Sequence, residues 1–285
     1  MQESEYKKLI EIAFREDFDQ KGDITSEALF TDEMCTASLL SKDKGIIAGL
    51  FIFDAVFKRI DPSTQISYFY KDGDSISKGT RIAEIKGHVK SVLGAERVAL
   101  NFLCFLSGIA TKTKMAVEQA LKGGKALILD TRKTLPGYRT LSKYAVKIGG
   151  GSNHRMGLYD MILIKDNHID AAGSLATAIA KVKKKWNTTY KIEVECRNLD
   201  EVQQAMENEV DIIMLDNMDH NMIKQVVNNN KRKIPLEASG NMDLAAIKEV
   251  SSFGVDYISV GMLTHSVKAL DFSLKIKFDK KNGNN

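Results

Sequence analysis

The chain has 285 residues, 44% hydrophobic and 27% charged, with a formal net charge of +4 at pH 7. That length suits two modest domains or one barrel with an appendage, and the composition is that of a globular protein. So small a charge gives no argument for nucleic acid, and Lys183 to Lys185 and Lys231 to Lys233 read as solvated helix ends.

The N-terminal stretch, 1–14, is charged and helix-like rather than signal-like. Tyr6, Leu9, Ile10, Ala13 and Phe14 recur at helical spacing and predict an amphipathic first helix. Gly22 to Ser26 reads as a polar turn that ends it, and Ala37 to Leu40 as a strand. Leu50, Phe53, Phe57 and Ile60 make a second helical face, closed by Asp61-Pro62. From Gln65 the period shortens. Ile66, Tyr68 and Tyr70 alternate, and Lys71 to Asp74 and Ser77 to Gly79 turn. Ile82 to Ile85 is another short strand, followed by Val89 to Leu93. These short strands suggest a hammerhead-like module resembling biotinyl and lipoyl carrier domains. No lysine stands at a hairpin tip in a Met-Lys-Met-like setting, which argues against carrier function. Gly94 to Leu121 is one long helical pattern. No apolar run approaches about 18 residues, so no membrane span is expected.

The second half is rhythmic. Strand candidates are Ala126 to Leu129, Met161 to Ile164, Ile192 to Val194, Ile212 to Leu215, Pro235 to Ala238 and Tyr257 to Val260, with amphipathic helices in most gaps. Repeated βα units imply a parallel sheet. The strands end in Asp130-Thr131-Arg132, Lys165, Glu195, Asp216, Ser239-Gly240-Asn241 and Ser259-Val260-Gly261. Active sites of parallel α/β folds lie at such ends. Helix N-capping explains Asp216 and Asn241, but not Arg132, Lys165 and Glu195. A barrel fits the rhythm, with an open doubly wound sheet as the alternative. No Gly-x-Gly-x-x-Gly follows the first strand, which weakens a dinucleotide-binding reading.

Three of nine arginines and two of five histidines fall between Asp130 and His168, around a glycine run. Arg132, Arg155 and Lys165 suit a dianion, because guanidinium forks read carboxylate and phosphate. His154 either donates to a carboxylate or holds a partner in place. Glu195 and Asp216 suit sugar hydroxyls, Mg²⁺ or a cationic ribosyl carbon, or else a salt-bridge network with the basic cluster. Ser239, Gly240, Asn241 and Gly261 suit phosphate held by backbone donors. The three cysteines, Cys35, Cys104 and Cys196, are widely spaced without a Cys-x-x-Cys motif, as in a cytoplasmic protein with reduced thiols. The residues alone give a barrel binding a polyanion and a phosphorylated sugar. They do not give a reaction.

The runs Asp-Thr-Arg-Lys-Thr-Leu-Pro-Gly (130–137), Gly-Gly-Gly-Ser-Asn-His-Arg (149–155) and Leu-Ile-Lys-Asp-Asn-His (163–168) closely resemble the quinolinate phosphoribosyltransferase family. Gly-Asp-Ile-Thr (22–25), Glu-Arg-Val-Ala-Leu-Asn-Phe (96–102), Ile-Glu-Val-Glu-Cys (192–196), Leu-Asp-Asn-Met (215–218), Glu-Ala-Ser-Gly-Asn (237–241) and the run 259–266 extend the likeness over nearly the whole chain, in order. Ser26 stands where threonine is usual and Cys196 where an aliphatic residue is expected.

The resemblance implies an N-terminal α/β sandwich over 1–110 and an incomplete β/α barrel over 111–267, with the tail 268–285 packing on the first domain. It implies a cytoplasmic homodimer, or a hexamer of dimers, in which Arg97 reaches the partner's site. The residues alone make Arg97 a helix-surface charge. The implied reaction joins quinolinate to phosphoribosyl pyrophosphate with loss of CO₂, in de novo NAD synthesis, with Mg²⁺ and no organic cofactor, nucleic acid or membrane. Arg97, Arg132, His154, Arg155 and Lys165 would neutralise the two quinolinate carboxylates, and Thr131 would be a further substrate-binding residue. Lys133, with Lys165 as a second candidate, would face the phosphates, Ser239, Gly240, Asn241 and Gly261 would take the 5′-phosphate, and Ser259 and Val260 would be further substrate-binding residues. Glu195 and Asp216 would hold ribose hydroxyls or, with pyrophosphate supplying most ligands, Mg²⁺. Lys165, Glu195 and Asp216 would be the catalytic groups. Alternatives are the molybdenum-locus paralogue and nicotinate phosphoribosyltransferase. Three arginines favour a dicarboxylate, since a monoacid would leave buried cations unpaired.

Overall fold

The computed structural model describes residues 3–278, so the expectation for the tail over 279–285 lies outside the described residues. In chain order the elements are α1 (Glu3–Phe18), α2 (Ile24–Leu29), β1 (Met34–Ser41), β2 (Gly45–Ile46), α3 (Leu50–Ile60), β3 (Gln65–Tyr68), β4 (Ser75–Ile76), β5 (Arg81–His88) and α4 (Val89–Gly123). There follow β6 (Leu127–Leu129), α5 (Arg139–Ile148), β7 (Ile162–Ile164), α6 (Asp166–Ala172), α7 (Leu175–Trp186), β8 (Ile192–Cys196), α8 (Leu199–Glu207) and β9 (Ile212–Asp216). The last are α9 (His220–Asn229), β10 (Leu236–Ser239), α10 (Leu244–Ser252), β11 (Tyr257–Ser259), α11 (Met262–His265) and β12 (Phe272–Phe278).

They form two compact units. One comprises Met1–Lys112, Pro136–Gly149 and Val267–Asn285. Its sheet runs β12-β1-β5-β3, with antiparallel pairing throughout. On β1, Cys35, Ala37, Leu39 and Ser41 are buried and alternate with more open neighbours, the period-two pattern of a sheet with one covered face. Helix α3 buries Leu50, Ile52, Phe53, Val56 and Phe57 at helical spacing. The C-terminal segment enters this unit where Gly108 lets it close on α4. A Cβ there would lie 2.4 Å from the Lys268 carbonyl oxygen. Leu270 N–H then donates to the Cys104 carbonyl at 3.0 Å, and β12 pairs with β1.

Four local expectations need correction. Ile24 to Ser26 opens the short helix α2 rather than completing a turn. Asp23 Oδ1 caps it, accepting from Thr25 and Ser26 N–H at 3.1 and 3.0 Å. Val89 to Leu93 is the first turn of α4, not a continuation of strand. Residues 136–149 fall inside the stretch assigned to the barrel but cluster with the first unit. Tyr138 stacks on Phe102 at 5.8 Å and meets Phe105 edge-on, and Tyr144 packs edge-on against Phe51 and donates to Asp72. The basic run from Asp130 to His168 is therefore divided between units. Finally, an 18-residue window of α4 is apolar enough to cross a membrane, but 67% of it is buried within the protein.

The second unit comprises Thr113–Leu135 and Gly150–Ser266. Its six parallel strands run β6-β11-β10-β9-β8-β7, each pairing with the next in register. Strands β6 and β7 lie at opposite ends of this order, so the barrel is incomplete. Ser174, Asn198, Asp219 and Asp243 each cap a helix through a side-chain oxygen, which starts α7, α8, α9 and α10 cleanly after their loops. Their buried faces are apolar, as with Ile223 and Val226 on α9 and Ile247 and Val250 on α10.

Candidate active site

A cavity of about 510 Å³ opens within the second unit. It is lined by Thr131, Arg132, Lys133, His154, Arg155, Leu163, Lys165, Glu195, Met214, Asp216, Asn217, Glu237, Ser239 and Ser259. Strand alternation puts these side chains there, since residues two apart share a face. Leu163 and Lys165 share one, as do Met214 with Asp216 and Glu237 with Ser239. Register places Glu195 beside Met214 and Met214 beside Glu237, so adjacent strands contribute neighbouring residues.

Lys165 follows β7 and begins α6. Its backbone N–H donates to His168 Nδ1 at 3.0 Å, which gives His168 a capping task. Its Nζ lies 2.5 Å from Glu195 Oε2, with the glutamate side chain only 10% exposed and the lysine side chain 44% exposed. Asp216 ends β9, and its Oδ2 accepts from Asn217 Nδ2 at 2.8 Å.

Thr131, Arg132 and Lys133 follow β6. Lys133 N–H donates to Thr131 Oγ1 at 3.0 Å, and Thr264 Oγ1 donates to the Lys133 carbonyl at 2.7 Å. A Cβ on Gly261 would lie 3.1 Å from Lys133 Cδ and 3.2 Å from His265 Cδ2, so both side chains flank that glycine.

Beneath the cations lies an acidic layer. Glu193 is fully buried and Glu237 nearly so. His154 Nε2 is 3.0 Å from Glu193 Oε2, without a well-directed hydrogen bond, and 3.7 Å from Glu237 Oε2. Burial first, and the nearby Glu193 carboxylate second, push the Glu237 carboxyl up to about 8. His154 is fastened elsewhere too. Its N–H donates to Asp130 Oδ1 at 3.0 Å, and its Nδ1 accepts from Arg155 N–H at 2.7 Å. With Nδ1 accepting, Nε2 carries the proton and lies beside the two glutamates.

Arg155 donates through Nη1 to the Met161 carbonyl at 3.1 Å. Burial, and then the charge of Arg132, lower its pKa, while Glu193 and Asp160 offset part of this. A guanidinium so disfavoured gains most when an anionic ligand arrives.

Of the expected site residues, Thr131, Arg132, Lys133, His154, Arg155, Lys165, Glu195, Asp216, Ser239 and Ser259 line this cavity. Gly240, Asn241, Val260 and Gly261 belong to the same strand ends without lining it. Arg97 is an exposed residue of α4 in the first unit. Leu163, Met214, Asn217 and Glu237 line the cavity without having been expected there. Glu193 and Glu237 had a readable signal, being carboxylates inside otherwise apolar parallel strands, where both faces are buried. Among the described residues, a group of three with metal-ligand spacing occurs at His154, Glu193 and Glu237.

Fold and site together are those of a β/α-barrel enzyme, with a cavity at the strand ends lined by Arg132, Arg155 and Lys165 as well as by Glu195 and Asp216. Two family models match the chain: quinolinate phosphoribosyl transferase, N-terminal domain, over residues 23–107, and its C-terminal domain over 109–275. The chain is 43% identical to a chloroplastic nicotinate-nucleotide pyrophosphorylase (carboxylating) of Arabidopsis thaliana, over 95% of this chain and 82% of the relative. It is 42% identical to a probable nicotinate-nucleotide pyrophosphorylase (carboxylating) of Bacillus subtilis, over 97% and 95%. The crystal structure of NadC from Streptococcus pyogenes superposes with a TM-score of 0.94 at 40% identity, covering 98% of this chain and 99% of that one. The chain belongs to the quinolinate phosphoribosyltransferase family.

Proposed function

We propose that the second unit's cavity performs the family's transfer by positioning and electrostatics, with no nucleophilic side chain. Membership makes the chain a decarboxylating quinolinate phosphoribosyltransferase of de novo NAD synthesis. The observation that supports a division of labour is the convergence of Arg132, Arg155 and the Lys165–Glu195 pair with Asp216 in one cavity.

In this reading Arg132, Arg155 and Lys165 take the two quinolinate carboxylates, with Thr131 beside them. Leu163 and Met214 give the pyridine ring an apolar surface. His154 serves chiefly to hold Arg155 from below, because both its ring nitrogens face protein groups. Lys133 faces the phosphates. Ser239, Gly240, Asn241, Ser259, Val260 and Gly261 receive the 5′-phosphate, and Glu195 and Asp216 hold the ribose hydroxyls.

The ring nitrogen attacks the anomeric carbon as the bond to pyrophosphate breaks, through a cationic sugar that the two carboxylates favour. The ribosylated nitrogen is then positive. The adjacent carbon–carboxylate bond breaks, CO₂ leaves, and the electron pair stays on the ring carbon beside that charge. Lys165 stabilises this carbanion or supplies its proton.

The donor set also bears on Mg²⁺. Oxygen ligands suit it, but Lys165 engages Glu195 Oε2 and Asn217 engages Asp216 Oδ2. That leaves one oxygen on each carboxylate, which fits an ion taking most of its ligands from pyrophosphate and water. When bound, it would neutralise charge on the departing pyrophosphate.

The working form is a cytoplasmic homodimer, or a hexamer of dimers, in which Arg97 completes the partner's site. Cys35, Cys104 and Cys196 form no disulfide among the described residues. Subunit mixing tests the shared site. Arg97→Ala and Arg155→Ala chains, each inactive alone, should regain on the order of a quarter of wild-type activity when mixed, since statistical pairing leaves one intact site in half the dimers. No recovery, with exchange verified by mass, would refute sharing.

A further inference from the structure

Asn217 lines the cavity but has no task in the reaction just described. It follows Asp216 where the chain leaves β9, and its backbone is left-handed, at φ 52°. Asparagine tolerates that region better than most residues. Three contacts fix it. Its N–H extends the strand ladder to the Ser239 carbonyl at 3.0 Å. Its Nδ2 donates to Asp216 Oδ2 at 2.8 Å. Its Oδ1 lies only 2.6 Å from where a Cβ on residue 240 would stand, so Gly240 makes the room it needs.

A carboxylate that turns freely pays rotamer entropy each time it binds a ligand. The Asp216 carboxylate has one described hydrogen bond, and it comes from Asn217. We infer that Asn217 is a positioning residue for phosphoribosyl transfer: it grips Asp216 by Oδ2 and so leaves Oδ1 to a vicinal diol of the sugar phosphate. The inference rests on the proposed role of Asp216 and adds the residue that orients it. It also gives Gly240 a purpose besides phosphate approach, since any side chain there would displace the amide.

A plainer account makes Asn217 only a residue that suits a left-handed turn. Asn217→Gly separates the two, because glycine adopts φ 52° without strain but has no amide. The expected result is a KM for phosphoribosyl pyrophosphate raised about tenfold, the typical worth of a hydrogen bond to a charged group. Quinolinate affinity and thermal midpoint should stay near wild type. In an Asp216→Ala background, Asn217→Gly should add nothing further. A wild-type KM in Asn217→Gly, while Asp216→Ala alone raises it, would overturn the inference and leave the reading of Asp216 standing. A full additional loss in the Asp216→Ala background would also overturn it, since Asn217 would then act by another route. An unchanged KM in Asp216→Ala would overturn the reading of Asp216 and the inference together.

Discussion

Replacing Arg155 with alanine is expected to raise KM for quinolinate by about two to three orders of magnitude, with a far smaller change for phosphoribosyl pyrophosphate. A guanidinium to carboxylate pair is charge-assisted and often bidentate, and losing it costs about 3 to 4 kcal/mol once the stranded partner is counted. Two features place Arg155 at the upper end. It is nearly buried, so water does not replace the lost donor. Its charge is disfavoured by burial and by Arg132, so in the free enzyme it awaits an anion. Arg155→Lys should recover only part of the loss, because an ammonium cannot reproduce the fork. Steady-state kinetics with each substrate varied in turn gives both constants. A quinolinate KM within a few-fold of wild type would remove Arg155 from the carboxylate site.

The second large effect is on turnover. Lys165→Ala should lower kcat by about two to four orders of magnitude, the range for loss of a positioned proton donor or charge stabiliser. Two losses combine. In the proposed mechanism, the carbanion formed beside the ribosylated nitrogen loses the ammonium that stabilises it. Glu195, whose Oε2 is 2.5 Å from Lys165 Nζ and whose side chain is largely buried, loses its counter-charge next to an incoming dianion. Single-turnover assays that follow pyrophosphate and CO₂ separately divide the effect between transfer and decarboxylation. Full turnover with unchanged CO₂ release would show that Lys165 has no part in the chemistry.

Much of the second unit is legible in the sequence because its physics is local. Parallel strands such as Ile212–Asp216 read as apolar runs, and the polar residue that ends each one marks the active face. Arg132, Lys165 and Glu195 stand out on that ground alone, whereas Asp216 reads equally well as a helix cap. What is not legible depends on distant packing. Nothing near Tyr138 or Tyr144 announces that α5 joins the first unit, because their ring partners, Phe102, Phe105 and Phe51, are tens of residues away. Helix α2 hides behind Gly22, since one capping aspartate decides between a turn and a helix start.

The acidic layer leaves a mark in the sequence, but strand patterning does not say what the mark is for. Strand patterns reward the apolar residues of Ile192–Cys196 and make Glu193 an interruption, whereas the fold buries it against His154. Sequence alone allows His154 two tasks, and the proposed reading gives it the second, since its Nδ1 accepts from the Arg155 backbone N–H. Glu237 belongs to the same layer, and burial beside the Glu193 carboxylate raises its pKa, which favours the neutral acid. The floor under the arginines therefore carries less negative charge than two free glutamates would.

Substrate discrimination by the unmodified protein tests the central claim most directly. With Mg²⁺ and phosphoribosyl pyrophosphate present, quinolinate should give nicotinate mononucleotide, pyrophosphate and CO₂ in equal amounts, and nicotinate should give no product at comparable concentrations. Equal use of nicotinate, or nucleotide formed from quinolinate without CO₂, would contradict the account.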